Sequence, residues 1–452
     1  MFLFNSKKDI ERSSLLYTSL RFYTRICFRC FYKNIHYTGR ENIPDKGPVI
    51  FAPNHQNALM DALAVLLWQK RPVVFMARAD MFQKKWTAFL LRLIKIMPVY
   101  RMRDGYSKLS KNEQQFKEAC SVLLNNGTLC LMPEGSQDGH RRLRSLVKGL
   151  FRIALEAQLA VGKSRDVQIV PVGIDYSEYE QPGADLVVHF GKAIFVSDFA
   201  AYYEQDPVLG MNVLRDTLAE RIKDLITDIH NADCYEEIYG LSRLLSPAYL
   251  QARDLKKSAL NCFEARRQLS LRLKEFFENK NEEKTQTSIL KEFHVIYDVL
   301  PGSREDKYCL LENLRRILER QKLKIVFMAL ALFPAYIINW PIRKVIQAIV
   351  KLDKDRQMHS SYRFALSALL LPLWYIVLSI LPVLLFNFSI LKAFILFLVF
   401  ILAACSGGRF IPAFRREFRL MRFLHAQPSE LRSKLISTLN KLEDLGRDYF
   451  VA

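Results

Sequence analysis

Several common signatures are missing from this 452-residue chain, and each absence removes a class of protein. There is no Gly-x-Ser-x-Gly turn, and no Ser or Cys has a base at a recognisable spacing, which argues against a hydrolase working through a covalent acyl-enzyme. Cysteines are few and scattered, at 27, 30, 120, 130, 234, 262, 309 and 405. No second close pair completes Cys27-Phe-Arg-Cys30, so a zinc site is not expected, and the thiols are expected to be reduced, buried or interfacial. The first residues, MFLFNSKKDIERSS, lack a basic-then-apolar leader with a cleavage site, so export is not expected. Charged residues make up only 25% against 50% hydrophobic, which excludes a disordered or low-complexity chain.

What is there in excess is positive charge, 66 Lys and Arg against 46 Asp and Glu, a net +20. That balance suits nucleic acid, anionic lipid or phosphorylated substrates alike. The apolar residues choose among them, because they gather towards the C-terminus in uncharged runs at 325–342, 364–386 and 393–406. The 23 residues of 364–386 would rise about 34 Å as a helix, enough to cross a hydrocarbon core of about 30 Å. Residues 388–406 can return across it, giving a transmembrane hairpin at about 364–406 with its turn at Asn387. Basic residues flank the hairpin on both sides, which by the positive-inside bias puts both flanks in the cytoplasm. The run 325–342 contains Pro334, Asn339 and Pro341 and is expected to be interfacial or re-entrant. No nucleic-acid-binding motif accompanies the charge.

Residues 12–33 repeat a basic side chain every four positions (Arg21, Arg25, Arg29, Lys33) among leucines and aromatics. A helix there either lies in the headgroup layer or packs on the neighbouring domain. From Gly47 the texture becomes short β-branched or aromatic runs separated by helical stretches at 58–68, 83–93, 109–125 and 146–160. Strands alternating with helices argue for an α/β fold with a largely parallel sheet flanked by helices. The expected organisation is an amphipathic helix at 1–35, an α/β domain at 36–230, a helical extension at 231–322, a membrane-associated region at 323–410 and a basic helical tail at 411–452.

Chemistry-bearing residues sit where the strand-like runs end. After PVIFAP come Asn54, His55 and, six residues on, Asp61. Within one regular helix His55 and Asp61 would be about 120° apart in azimuth and could not pair. If Asn57 caps the helix, His55 can fold back from the loop onto Asp61, which would fix its tautomer and raise its basicity. Glu134-Gly135-Ser136 follows GTLCLMP, with His140, Arg141, Arg142, Arg144 and Lys148 close behind. Glu134 can orient a ligand or a basic group, Gly135 allows backbone N–H groups to approach an anion, and the basic run is either an anion site or a solvated face. Pro98-Val99-Tyr100-Arg101-Met102-Arg103 ends another run, with Arg101 suited to clamping a phosphate.

These blocks, together with Val170-Pro171-Val172-Gly173 and in this order, resemble the glycerolipid acyltransferases over roughly residues 47–196. The resemblance implies transfer of a fatty acyl group from acyl-coenzyme A or acyl-carrier protein to the hydroxyl of a glycerophosphate, 1-acylglycerol 3-phosphate first among them, without cofactor or metal. It implies His55 and Asp61 as the catalytic pair, and Arg101, Arg103, Glu134, Gly135, Ser136, Arg141, Arg142 and Lys148 as substrate-binding residues. Two departures bear on the acceptor. Five residues separate His55 from Asp61 where the usual bacterial pattern has four, and Glu134-Gly135-Ser136-Gln137 replaces the common Glu-Gly-Thr-Arg, so Arg141 or Arg142 is expected to supply the missing charge. Glycerol 3-phosphate or another lyso- or amino-lipid is the alternative acceptor. The catalytic domain is expected on the cytoplasmic side of a cell membrane, in contact with the bilayer and not with nucleic acid.

Overall fold

The computed structural model describes residues 10–99, 109–230, 233–319, 322–353 and 355–451. An eight-stranded sheet runs in the order β1 (Asn34–Thr38), β7 (Asp185–Phe190), β6 (Gln168–Tyr176), β2 (Val49–Pro53), β5 (Thr128–Cys130), β3 (Val74–Arg78), β4 (Ile96–Val99), with β8 (Ile194–Phe195) also on β6. From β6 to β4 every pairing is parallel. The β6–β7 pairing is antiparallel, and β1 joins β7 in parallel, so the sheet is parallel in its larger part and mixed at one side. Strands β2 and β6 are buried along nearly their whole length, as expected for a sheet covered on both faces.

On one face lie α1 (Leu15–Phe31) and α2 (Ala58–Leu66), packed over Phe51, Val170 and Val188. On the other lie α4 (Leu109–Leu124), α5 (Gly149–Val161) and α7 (Pro207–Lys223), with Leu214, Leu218 and Ile222 forming the buried stripe. The short α3 (Lys85–Leu93) connects β3 to β4, and α6 (Ala200–Gln205) precedes α7. A second core is built by α8 (Tyr235–Ala252), α9 (Ala259–Glu278), α10 (Glu283–Tyr297), α11 (Arg304–Leu311) and α12 (Leu314–Glu319), joined by α16 (Ser429–Gly446) from the far end of the chain.

Between these come three long helices, α13 (Lys322–Val350), α14 (His359–Phe386) and α15 (Ile390–Ala426). Two helices among the described residues are long and apolar enough to cross a membrane, α14 and α15, each containing an 18-residue stretch of mean hydropathy 2.5. They are joined at Asn387, whose left-handed backbone (φ 54°) stops α14, and Ser389 caps α15 by accepting the N–H of Lys392. The boundary expected at 410 falls inside α15, which continues unbroken to Ala426.

One expectation is narrowed and another is corrected. Residues 325–342 form no re-entrant loop but part of the continuous helix α13, which carries both Pro334 and Pro341, and this leaves the interfacial alternative standing. Its polar Asn339 is buried and satisfied, donating to the Ala335 carbonyl at 2.7 Å and accepting from the Tyr375 hydroxyl of α14. Nor are all thiols reduced, since Cys30 and Cys405 form a disulfide across 375 residues of sequence. The packing of α1 against α15 brings them together, and Gly408 permits it, because a Cβ there would stand 2.8 Å from the Cys30 carbonyl oxygen.

Candidate active site

The site lies where β2 and β5 leave the sheet. Asn54 ends β2 by imitating a strand: its N–H donates to Val172, and its side chain both donates to the Ile174 carbonyl (3.0 Å) and accepts the Ile174 N–H (2.7 Å). This fixes the exit of β2 against β6, and His55 follows directly. Helix α2 then starts at Ala58, so His55 stands in the loop and Asp61 on the first turn of the helix. His55 Nδ1 lies 3.0 Å from Asp61 Oδ2.

Asn57 occupies the cap position, but its side chain makes no cap bond and donates instead to the Tyr179 carbonyl at 3.2 Å. The capping is done from inside the helix. Asp61 Oδ2 accepts the N–H groups of Gln56 (2.9 Å) and Asn57 (2.7 Å), and its Oδ1 accepts the Tyr176 hydroxyl at 2.8 Å. A fully buried carboxylate with four donors is held in one orientation, with its negative charge at the positive end of α2. The next N–H groups of the helix are also occupied, Ala58 donating to Gln137 Oε1 (2.8 Å) and Leu59 to Ser361 Oγ (3.1 Å). The start of α2 therefore has no free N–H at these four positions with which to hold a developing oxyanion.

A carboxylate can only accept, so the Nδ1 facing Asp61 carries the proton and Nε2 keeps its lone pair. The ring remains accessible, its side chain 19% exposed beside a fully buried Asp61.

Glu134 supports this loop from β5. One oxygen accepts the His55 N–H at 2.7 Å and the other the Arg144 N–H at 3.0 Å, so a single buried carboxylate pins two loops. Burial pushes its pKa up to about 7, with the two N–H bonds acting in the opposite direction. Gly135 has φ 65°, a left-handed turn that an L side chain resists, and this turn lets the chain double back so that Val147 N–H reaches the Pro133 carbonyl at 2.7 Å. Ser136 accepts from the Arg144 guanidinium.

The basic run divides. Arg142 is half-exposed and pairs with Asp138 at 2.9 Å, Arg144 is half-buried beside Ser136, and Lys148 is exposed at the start of α5. Arg141 is placed otherwise than expected. Its side chain is 1% exposed, both terminal nitrogens reach Glu305 at 3.3 Å, and its guanidinium stacks on Tyr239 (4.0 Å) and Tyr179 (4.5 Å). With Arg141 committed to the interface with α8 and α11, the charge missing from the Glu-Gly-Ser-Gln turn does not come from it. Arg101 and Arg103 lie outside the described residues.

Sequence reasoning passed over Tyr176, Arg144 as a backbone donor, and Ser361, and it named Asn54 and Gln137 without giving them a role. For Asn54 the signal was its place between an apolar strand and a histidine.

Residues 34–175 match the profile of the family described as Acyltransferase, less than half of the chain. Over 133 residues the chain is 27% identical to a chloroplastic 1-acyl-sn-glycerol-3-phosphate acyltransferase of Arabidopsis thaliana, covering 29% of this chain and 35% of that protein. The chain thus spans about a third of the length of that curated relative. The crystal structure of a 1-acyl-sn-glycerophosphate acyltransferase from Thermotoga maritima overlaps 46% of this chain and 79% of its own at 17% identity and a TM-score of 0.34, a likeness too slight to carry an argument. The matched stretch begins at β1 and ends within β6, and so contains the loop of His55 and Asp61 and the turn of Glu134. Over residues 34–175, then, the chain is similar to the Acyltransferase family, and the stretch it shares with that family is the one that holds His55, Asp61 and Glu134.

Proposed function

We propose that the chain transfers a fatty acyl group from a thioester donor, acyl-coenzyme A or acyl-carrier protein, to the free hydroxyl of 1-acylglycerol 3-phosphate, forming phosphatidic acid. The observation that carries this reading is the 3.0 Å contact between His55 Nδ1 and a buried, four-fold hydrogen-bonded Asp61, which leaves Nε2 as the base. Nε2 takes the hydroxyl proton as the oxygen attacks the thioester carbonyl. The tetrahedral adduct collapses, the thiolate leaves, and the imidazolium returns the proton to sulfur. Asp61 opposes the transient positive charge and Glu134 keeps the His55 backbone in place. A thioester has a good leaving group, so positioning and proton removal suffice without a covalent intermediate.

A phosphorylated acceptor is favoured by the cations around the Glu134 turn, Arg142, Arg144 and Lys148, with Arg101 and Arg103 as further candidates from the preceding block. The lipid character of the acceptor is favoured by the bond from Leu59 N–H to Ser361, which ties the site to the first turn of the apolar helix α14. Basic residues on both flanks of the hairpin support a catalytic domain on the cytoplasmic side.

Purified full-length protein, offered matched acyl-coenzyme A and acyl-carrier-protein donors, is expected to convert 1-acylglycerol 3-phosphate to phosphatidic acid. Product from glycerol 3-phosphate or a lyso-aminolipid alone would reject this acceptor. Undiminished turnover by a folded His55→Ala protein would reject the base.

A further inference from the structure

Helix α3 buries nothing in its own nine residues, which is unusual for a connector between two strands of a covered sheet. Trp86, Phe89 and Leu90, at i, i+3 and i+4, fall on one face and are 61%, 50% and 46% exposed. Met81 just before the helix is 50% exposed and Ile94 just after it is 38% exposed. The same stretch carries Lys84, Lys85 and Arg92, and from Met81 to Leu93 no acidic residue. A contiguous apolar face rimmed by one sign of charge marks a place of contact.

Continuity with the hairpin identifies what it touches. Lys95, buried at the end of α3, donates to the carbonyls of Ile10 and Arg12 and lies 4.8 Å over the Tyr17 ring, which fixes α3 beside the first turns of α1. Those turns expose Leu15 (86%) and Leu16 (48%). The other end of α1 is tied to the membrane helices by the Tyr23 hydroxyl on the Ala368 carbonyl, by Arg409 on the Arg29 carbonyl at 2.7 Å, and by the Cys30–Cys405 disulfide. The apolar surface therefore runs from the hairpin along α1 to α3.

We propose that the Trp86–Phe89–Leu90 face of α3 is a second lipid-contacting surface, seated in the headgroup and upper acyl layer of an anionic leaflet. The aromatic and aliphatic side chains enter the interface, and Lys84, Lys85 and Arg92 snorkel to lipid phosphates. Helix α3 starts at the edge of the sheet where β3 ends, the edge that also carries His55, so this contact sets the height of the site above the acyl chains.

The test is fluorescence quenching on the full-length protein in vesicles of phosphatidylcholine and phosphatidylglycerol. The chain has four tryptophans, so the difference between wild type and Trp86→Phe isolates one of them. The Trp86 component is expected to be quenched by phosphatidylcholine brominated near the carbonyl end of the acyl chain and shielded from iodide. It should shift to the red when phosphatidylglycerol is withheld or when Lys84 and Lys85 are changed to Gln. Phe89→Trp in the Trp86→Phe background repeats the measurement one turn away. Quenching by iodide but not by lipid would leave the face in water, and quenching by neither would put a protein surface on it; both overturn the proposal.

Discussion

Glu134→Gln separates two things that this carboxylate does, and the structure gives opposite signs for them. In the wild type both oxygens accept backbone N–H groups, those of His55 and Arg144. A glutamine offers one oxygen and one NH2, so one of the two donors faces a donor and loses its partner, a change worth about 1–3 kcal/mol. Burial, however, has raised the carboxyl pKa from 4.5 to about 7, so holding the charge inside also costs something. The gap corresponds to about 3 kcal/mol. Because the folded value lies above the unfolded one, the wild-type contribution is fully present below about pH 4.5 and is lost as pH rises to about 7. Glutamine does not titrate. Melting the full-length protein and its Glu134→Gln variant across that window should therefore show the variant gaining on the wild type as pH rises, by about 5 °C or more for a domain of this size. Groups common to both proteins cancel in the difference. Turnover at neutral pH should meanwhile fall about tenfold or more, since the base is no longer held by its own backbone. A melting difference that stays constant across pH would refute the buried, half-ionised state of Glu134, and unchanged turnover would refute its hold on His55.

Three further outcomes are expected. His55→Ala should lower turnover by about 10²–10⁴ with the fold intact, and adding Asp61→Asn should cost little more, whereas losses that simply multiply would exclude a coupled pair. Arg141→Met should lower the melting temperature by stranding Glu305 and unstacking Tyr239 without raising the acceptor KM of the folded enzyme, and a selective rise in KM would return Arg141 to the acceptor site. A cysteine introduced at Asn387 should be labelled by an impermeant reagent from outside intact cells, and protection there would reverse the proposed orientation.

The pairing of His55 with Asp61 was legible because it is local, a loop of six residues folded onto the start of its own helix. The parallel part of the sheet was legible because buried strands read as short apolar runs bounded by Pro and Gly. What could not be read depended on distant partners. Glu134 reaches His55 across 79 residues and Arg141 reaches Glu305 across 164, and no local pattern distinguishes a charge destined for the interior from one left in water. Strand β1, with its polar Asn34-Ile35-His36-Tyr37-Thr38, gave too little alternation to stand out and is defined by pairing with β7, which enters the sheet between β1 and β6. The disulfide needed the packing of α1 on α15, which the spacing of the cysteines does not encode.

The bond from Leu59 N–H to Ser361 also has a meaning in time. Synthesis delivers the sheet and His55 early, while Ser361 arrives 302 residues after Leu59, on the first turn of α14. Until then the start of α2 lacks one of its acceptors, and the loop carrying His55 precedes a helix end that is less completely bonded. A chain whose synthesis has not yet reached Ser361 therefore holds the start of α2 with one fewer tie, and that tie forms only when the first turn of α14 packs against it.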